Sequence, residues 1–198
     1  MRKTFGYHAG QLPSLAPVLR EWIDANHEYC RRSKWADVPW AYNERASLST
    51  LAAAFWLSGG VALEEYAEVK GLAAGRCDLY GSIGKNGYVL EAKLLWISLR
   101  GRHWRRAIDT KLRDARKDVR KTRIQFGETR LAVVFVAPYL GGKKPDVSEI
   151  VIDRFVQSLA TRKDLCCAWT FPKRARGFTW KGFKNWRFPG AAIVIQPL

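Results

Sequence analysis

Hydrophobic and polar residues follow two kinds of spacing along the chain, and these predict a mixture of helices and strands. In four stretches the apolar residues recur three and four positions apart, which is the spacing of one face of an α-helix. These stretches are residues 13–32, 43–57, 105–122 and 146–160. Shorter stretches are apolar at alternate positions or throughout, which is typical of strands. They are residues 61–70, the two halves of 76–96, 130–138, 165–171 and 191–195.

The stretch Arg130–Pro138, RLAVVFVAP, is apolar almost throughout. This pattern indicates a central strand that is covered on both faces and parallel to a neighbour. The chain reaches it through the predicted helix 105–122, which gives a right-handed β-α-β crossover. The pattern therefore predicts an α/β fold, in which a mixed sheet is flanked by helices on both sides. A chain of 198 residues fits one such domain, residues 1–198.

Charged residues interrupt the apolar stretch Arg76–Trp96, RCDLYGSIGKNGYVLEAKLLW. They are Asp78 on the first predicted strand, and Glu91 and Lys93 on the second. Residues two apart on a strand share a face, so Glu91 and Lys93 point the same way and Ala92 points the opposite way. A buried face normally carries charge only where the charge is paired or binds a metal. The stretch is therefore either an ordinary hairpin with a Glu–Lys pair or a functional site.

The turn between these two strands decides whether Asp78 and Glu91 meet. If Gly84–Lys85 forms a two-residue turn, Asp78 faces Glu91 directly, with Cβ atoms roughly 5 Å apart. If Asn86–Gly87 forms the turn, Glu91 lies four residues away along the strand, roughly 13 Å, which is too far to share a cation. We expect the Gly84–Lys85 turn, because a type II′ turn prefers glycine in its first position.

Two carboxylates and a lysine on one face suit metal-assisted hydrolysis. Hard oxygen ligands with few histidines favour Mg²⁺ or Mn²⁺ over zinc. Such an ion can lower the pKa of a bound water and neutralise charge on a phosphate. The lysine can orient that water or stabilise the transition state.

An aspartate followed on the next strand by Glu91-Ala92-Lys93 resembles the signature of the PD-(D/E)XK nuclease superfamily, which has the restriction-endonuclease-like fold. Cys77 stands where the signature has proline, a weakly specified position. Members usually carry one more glutamate on a helix before the first strand, and Glu44 in YNERAS occupies the matching position. The resemblance covers roughly residues 42–138, the expected core of the domain.

The resemblance implies a metal-dependent nuclease that hydrolyses phosphodiester bonds, with DNA as the favoured substrate of an endonuclease. By this resemblance Asp78, Glu91 and the carbonyl of Ala92 would hold Mg²⁺ (or Mn²⁺), and Glu44 would complete the site or hold a second ion. Lys93 would position the attacking water. Many relatives work as dimers, so a homodimer is left open.

Other charged residues near the motif have alternative interpretations. Glu44 would also be favourable as a negative charge in the first turn of a helix. Glu64, Glu65 and Glu68 are expected on a solvated edge, and they are the alternative ligands if Glu44 points away. His103 is a candidate phosphate contact or general acid, and otherwise a surface residue.

The charge of the chain narrows the class of partner. Lys and Arg number 34 against 18 Asp and Glu, which gives a formal net charge of +16. Such an excess predicts a polyanionic partner, DNA, RNA or an anionic surface. A membrane-surface protein would explain the charge but not the carboxylates, and no apolar run approaches the length of a membrane span. The four cysteines lack metal-ligand spacing and predict reduced thiols in a cytoplasmic protein.

Two segments concentrate the basic residues that we expect to contact nucleic acid. One is the polar side of helix 105–122, and the other is the basic and aromatic segment 172–190. The predicted contacts are Arg113, Arg116, Lys117, Arg120, Lys121, Lys173, Arg174, Arg176, Lys181 and Lys184. The aromatic residues Phe178, Trp180, Phe183 and Trp186 would either stack on bases or pack on the core.

Two further functions are compatible with the same residues. The chain could keep the nuclease fold without activity and only bind nucleic acid, or it could act on RNA. Nicking of a plasmid with Mg²⁺ and with EDTA separates the first from a DNA nuclease, and RNA substrates test the second.

Overall fold

The computed structural model describes residues 4–65, 76–122, 127–141, 148–180 and 186–198. Its α-helices are α1 (Ala16–Arg32), α2 (Glu44–Leu57), α3 (Trp104–Val119) and α4 (Glu149–Ala160). Its strands are β1 (Phe5–His8), β2 (Val61–Glu64), β3 (Leu79–Ile83), β4 (Asn86–Ser98), β5 (Glu128–Tyr139), β6 (Cys166–Thr170) and β7 (Ala191–Pro197). Short 3₁₀ helices lie at Pro13–Leu15, Pro39–Ala41 and Lys173–Ala175.

The seven strands form one mixed sheet in the order β1-β6-β7-β5-β4-β3-β2. The pair β4–β5 is parallel, and every other neighbouring pair in this order is antiparallel. Helix α3 connects the two parallel strands, as the apolar pattern of 130–138 predicts. Parallel strands need such a crossover, because a tight turn can join only antiparallel ones.

Helices cover both faces of the sheet and divide the core into two main layers. On one face, α1 and α2 pack on alternate residues of the central strands, such as Leu90 and Val133. On the other face, α3 and α4 pack on the residues between them, such as Ala132 and Val134. The prediction of a mixed α/β sheet with helices on both sides is confirmed. Buried residues of β6 and β7 also belong to these two layers.

The hairpin register predicted from the turn is confirmed. Strands β3 and β4 pair with Leu79 opposite Leu90 and Ile83 opposite Asn86, so Gly84–Lys85 forms the turn. Gly84 has φ +58°, whereas Lys85 is not among the residues with positive φ. Positive φ in the first turn position alone is the type II′ pattern, which explains the preference for glycine there.

Some boundaries differ from the sequence predictions. Strand β1 was not predicted, since its four residues alternate only between exposed and half-buried positions. Strand β2 ends at Glu64, and residues 66–70 of the predicted strand lie outside the described residues. Helix α4 begins at Glu149, and the predicted start at Asp146 also lies outside the described residues. None of the helices in the described residues is long and apolar enough to cross a membrane.

Gly60 marks a close approach between the end of α2 and the sheet. A Cβ atom at this position would overlap the backbone carbonyl oxygen of Ser82 on β3. We therefore expect Gly60→Ala to lower the free energy of unfolding by about 1–3 kcal/mol, as overpacking against backbone does. Gly177→Ala, where a Cβ would have no heavy atom within 4 Å, is the matched control. Chemical denaturation of both variants tests this, and a Gly60→Ala protein as stable as wild type would contradict it.

Candidate active site

The site lies just before the first residue of β3, where β4 continues with no other described strand on that side. The ladder between these strands ends at the Leu79–Leu90 pair, whereas β4 pairs with β5 on its other side as far as Ser98. Two carboxylates take the place of the missing strand. Asp78 accepts a hydrogen bond from the backbone N–H of Ala92 at 2.8 Å, and Glu44 accepts one from the N–H of Leu94 at 2.7 Å.

Asp78 and Glu91 meet as the register requires. Asp78 directly precedes the last ladder pair, which places it opposite Glu91, and the Glu91 carboxyl is within hydrogen-bonding reach of Asp78. Glu91 is only 7% exposed. Burial raises the pKa of Glu91 to about 8, and the negative charge of Asp78 is the second largest cause of this rise. The positive charge of the one lysine nearby lowers the pKa of Glu91, but it does not offset the effect of burial.

That lysine is Lys93, on the same face of β4 as Glu91. Its Nζ lies 4.0 Å from Glu91 Oε2 and 3.1 Å from Asp118 Oδ2 on α3. Burial lowers the pKa of Lys93, but the hydrogen bond and charge of Asp118, with the charges of Asp78 and Glu91, raise the pKa above its ordinary value. Lys93 is therefore a charged ammonium group that the Asp118 carboxylate holds in place, with Glu91 beside it.

Asp118 reaches Lys93 because the last turn of α3 packs behind the hairpin. Val119 forms a small buried cluster with Cys77 and Val89. The cysteine that replaces the proline of the nuclease signature is thus a core residue that helps to seat α3. Hydrogen bonds from Lys121 and Lys93 hold the pKa of Asp118 below its ordinary value, so this carboxylate is charged.

Glu44 reaches the site from the first turn of α2. Asn43 caps this helix, since its side chain accepts a hydrogen bond from the N–H of Ala46. Burial raises the pKa of Glu44, and the Leu94 N–H and the charge of Lys93 oppose this effect. The carboxylate therefore does more than favour the helix dipole, because it faces the exposed edge of β4.

The donor set fits a hard divalent cation. Asp78 and Glu91 face each other, and a strand residue presents its N–H and C=O to the same side, so the Ala92 carbonyl faces the edge where Asp78 takes the Ala92 N–H. Oxygen donors of this kind suit Mg²⁺ or Mn²⁺. Within the described residues, no three His, Cys, Asp or Glu side chains are grouped closely enough to hold one ion. The set is thus two carboxylates and a carbonyl, with Glu44 beside it.

No protein-family model, curated protein or solved structure matches this chain. The resemblance to the nuclease superfamily therefore rests on the motif residues of the sequence.

Two of the glutamates that the sequence offers as alternatives to Glu44 make contacts away from the motif residues. Glu65 forms ion pairs with Arg45 and Arg76, and Glu64 accepts a hydrogen bond from Ser49 at 3.1 Å. Glu68 lies outside the described residues. Glu44 is thus the glutamate that joins the motif residues.

The basic residues of α3 divide between two sides of the helix. Asp118 faces Lys93, and at about 100° per residue Arg113, Arg116 and Arg120 lie roughly 140–160° around the helix from Asp118. Lys117 lies between these two sides, and Lys121 pairs with Asp118 at 2.9 Å. Three of the five predicted contacts on α3 therefore point away from the candidate site. Helical periodicity could not reveal this, because it does not say which side of the charged face lies next to the strands.

The described parts of the segment 172–190 pack on the core through their aromatic rings. Trp186 stacks on Tyr139 with ring centroids 4.0 Å apart, and Trp180 lies 5.0 Å from Tyr42. Phe178 is also partly buried against the core. For Phe178, Trp180 and Trp186 the structure therefore supports packing on the core rather than stacking on bases. Phe183 lies outside the described residues.

The basic residues of the same segment differ in exposure. The side chain of Arg176 is only 13% exposed and pairs with Glu149 at 3.4 Å, so Arg176 is not available as a surface contact. Lys173 is exposed and lies 3.7 Å from the same carboxylate, and Arg174 is exposed. Lys181 and Lys184 lie outside the described residues.

Asp118 is the functional candidate that the sequence pattern did not single out. We expect Asp118→Asn to lower kcat about 10- to 100-fold in the nuclease assay described below, because Lys93 loses the carboxylate that holds it in position. Binding of nucleic acid should change little. Asp114→Asn, the same charge change one turn earlier on α3, is the control. Equal rates for Asp118→Asn and wild type would contradict a positioning role.

Proposed function

We propose that this protein is a metal-dependent nuclease that hydrolyses phosphodiester bonds, with DNA as its substrate. The observation that carries the proposal is the direct apposition of Asp78 and Glu91 on a largely buried face, with Lys93 beside them. Two adjacent carboxylates with one lysine are costly for folding unless a cation compensates them. That cost is understandable if the ion is part of the function.

The site residues would have separate roles. Asp78, Glu91 and the Ala92 carbonyl would hold Mg²⁺ or Mn²⁺, and Glu44 would add negative charge at the same edge. The bound ion would neutralise charge on the phosphate and lower the pKa of a bound water. Lys93 would orient the attacking water and stabilise the charge that develops on the phosphate oxygens. Asp118 would hold Lys93 in its charged form.

The rest of the fold is compatible with the restriction-endonuclease-like architecture. The hairpin β3–β4 carries the motif, α2 supplies a glutamate before it, and α3 leads to the parallel strand β5. The formal net charge of +16 favours a polyanionic substrate. These features together support assignment of the chain to that fold as part of the same proposal.

The test is cleavage of a substrate panel by the purified protein. The panel contains supercoiled plasmid, linear duplex DNA, single-stranded DNA and RNA, each with Mg²⁺, with Mn²⁺ and with EDTA. We expect DNA cleavage with either metal and none with EDTA. Cleavage of RNA alone would make the protein an RNase, and binding without any cleavage would leave only a nucleic-acid-binding protein.

A further inference from the structure

A groove adjoins the candidate site on the same face of the sheet. It has a volume of about 380 Å³ and lies between the second half of β4 and the first two turns of α3. Its lining residues are Leu95, His103, Arg106, Ala107, Thr110 and Lys111. Leu95 and Ala107 are half-buried and form an apolar floor, whereas His103 and Arg106 are exposed at the rim.

The groove is continuous with the motif residues. Glu91, Lys93 and Leu95 alternate along β4 and therefore share one face, with about 7 Å between successive members. A strand of nucleic acid whose phosphate lies beside Lys93 would therefore have its neighbouring nucleotide over Leu95.

The chemistry of the groove fits a nucleotide. Its lining contains no carboxylate, and Arg106 and Lys111 supply two positive charges. The nearest acidic partner described for Lys111 is Asp114, which is exposed and 3.8 Å away. An ion pair that is this exposed and this long contributes little, so a phosphate could replace it. The apolar floor offers no donor to a phosphate but suits the face of a base or a sugar.

We infer that this groove holds one unpaired nucleotide next to the phosphate that is cleaved, which makes single-stranded or locally unpaired DNA the preferred substrate. The inference rests on the proposed function for the identity of the ligand. Arg106 and Lys111 contact the backbone phosphates, and the base lies on Leu95 and Ala107. In an intact duplex the same base is stacked and paired, and extracting it requires breaking these contacts. Single strands do not incur that cost.

The test measures binding in EDTA, so that cleavage has no part in it. Fluorescence anisotropy gives the Kd of a labelled single-stranded DNA oligonucleotide and of the same sequence as a duplex. The variants are Arg106→Ala, Lys111→Ala and Ala107→Glu, which places a carboxylate on the floor. The matched control is Arg105→Ala, because Arg105 is the adjacent arginine and donates a hydrogen bond to Thr161 outside the groove.

We expect Ala107→Glu to weaken single-strand binding at least tenfold, and each loss of a basic residue to weaken it several-fold. Each loss should also reduce the slope of log Kd against log salt by about 0.7, the value for one phosphate contact on a single strand. Arg105→Ala should change binding less than twofold. The wild-type protein should bind the single strand more tightly than the duplex.

Two results would overturn the inference: equal effects of Arg105→Ala and Arg106→Ala, or binding of the duplex as tight as that of the single strand. Thermal unfolding of every variant separates lost binding from lost folding, and Thr110→Glu, at an exposed lining position, replaces Ala107→Glu if the latter unfolds. The nuclease assay is a separate readout. Absence of cleavage with intact single-strand binding would reject the proposed function, whereas cleavage that the groove variants leave unchanged would reject only the groove.

Discussion

Replacement of Lys93 by alanine is expected to reduce DNA cleavage by at least about 100-fold while the protein stays folded. Lys93 is the only basic residue that the described structure places within 4.0 Å of Glu91. Its ammonium group is held 3.1 Å from Asp118, so its position is fixed before any substrate binds. Removing it takes away the group that would stabilise the attacking water and the developing charge. The measurement is the initial rate of plasmid nicking with Mg²⁺.

The folding and binding of the Lys93→Ala protein are its controls. Thermal unfolding should stay close to wild type, because the Lys93 side chain is partly exposed and its partner Asp118 keeps an ion pair with Lys121. The Kd for DNA should rise at most several-fold, the effect of losing one phosphate contact. Lys85→Ala, which removes an exposed lysine in the turn of the same hairpin, should cleave like wild type. Undiminished nicking by Lys93→Ala would reject its catalytic role.

Replacement of Glu91 by glutamine is expected to have opposite effects on activity and on stability. Cleavage should be lost, since a neutral amide is a poor ligand for Mg²⁺. The metal-free protein should become more stable at alkaline pH, because the pKa of Glu91 is raised to about 8 in the folded chain from an ordinary 4.5. Between these pH values the unfolded chain has lost the proton that the folded chain retains, so the stability of the wild type falls as pH rises.

The corresponding measurement is the free energy of unfolding in EDTA across this pH range. The wild type should lose on the order of 3–5 kcal/mol relative to Glu91→Gln between pH 4.5 and 8, and the difference should stay constant above pH 8. Mn²⁺ at saturating concentration should restore the free energy of unfolding that the wild type loses at alkaline pH, and it should have no such effect on Glu91→Gln. If the free energies of unfolding of the two proteins changed with pH in the same way, the pKa of Glu91 would not be raised in the folded chain.

The hairpin is the part of the site that local sequence determines. Alternation sets which residues share a face, and Gly84 in the first turn position sets the register. Together they bring Asp78 opposite Glu91 without any information from the rest of the fold. The same holds for the start of α2, where Asn43 caps the helix and so places Glu44 in its first turn.

Contacts between distant elements could not be predicted in the same way. The apolar stripe of α3 predicts its buried side, but only the packing of Val119 on Cys77 and Val89 brings Asp118 to Lys93. The same rotation turns three of the five basic contacts expected on α3 away from the site. Strand β1 was missed because its pairing with β6 comes from the tertiary fold rather than from its own four residues.

The carboxylates of the site also have a structural use. Asp78 and Glu44 accept the N–H groups of Ala92 and Leu94, which lie past the first residue of β3, where a buried backbone donor would otherwise lack a partner. Each of these hydrogen bonds involves one oxygen of its carboxylate. This structural use does not account for Glu91, which is buried against Asp78 and whose closest described cation is 4.0 Å away.

The most direct measurement is the anomalous diffraction of a crystal grown with Mn²⁺. A metal-dependent nuclease site predicts a single strong peak at roughly 2.0–2.6 Å from carboxylate oxygens of Asp78 and Glu91 and from the Ala92 carbonyl oxygen. The peak should be lost in Glu91→Gln. A crystal saturated with Mn²⁺ that has no peak between these residues, while the same protein cleaves DNA, would show that the chemistry takes place elsewhere.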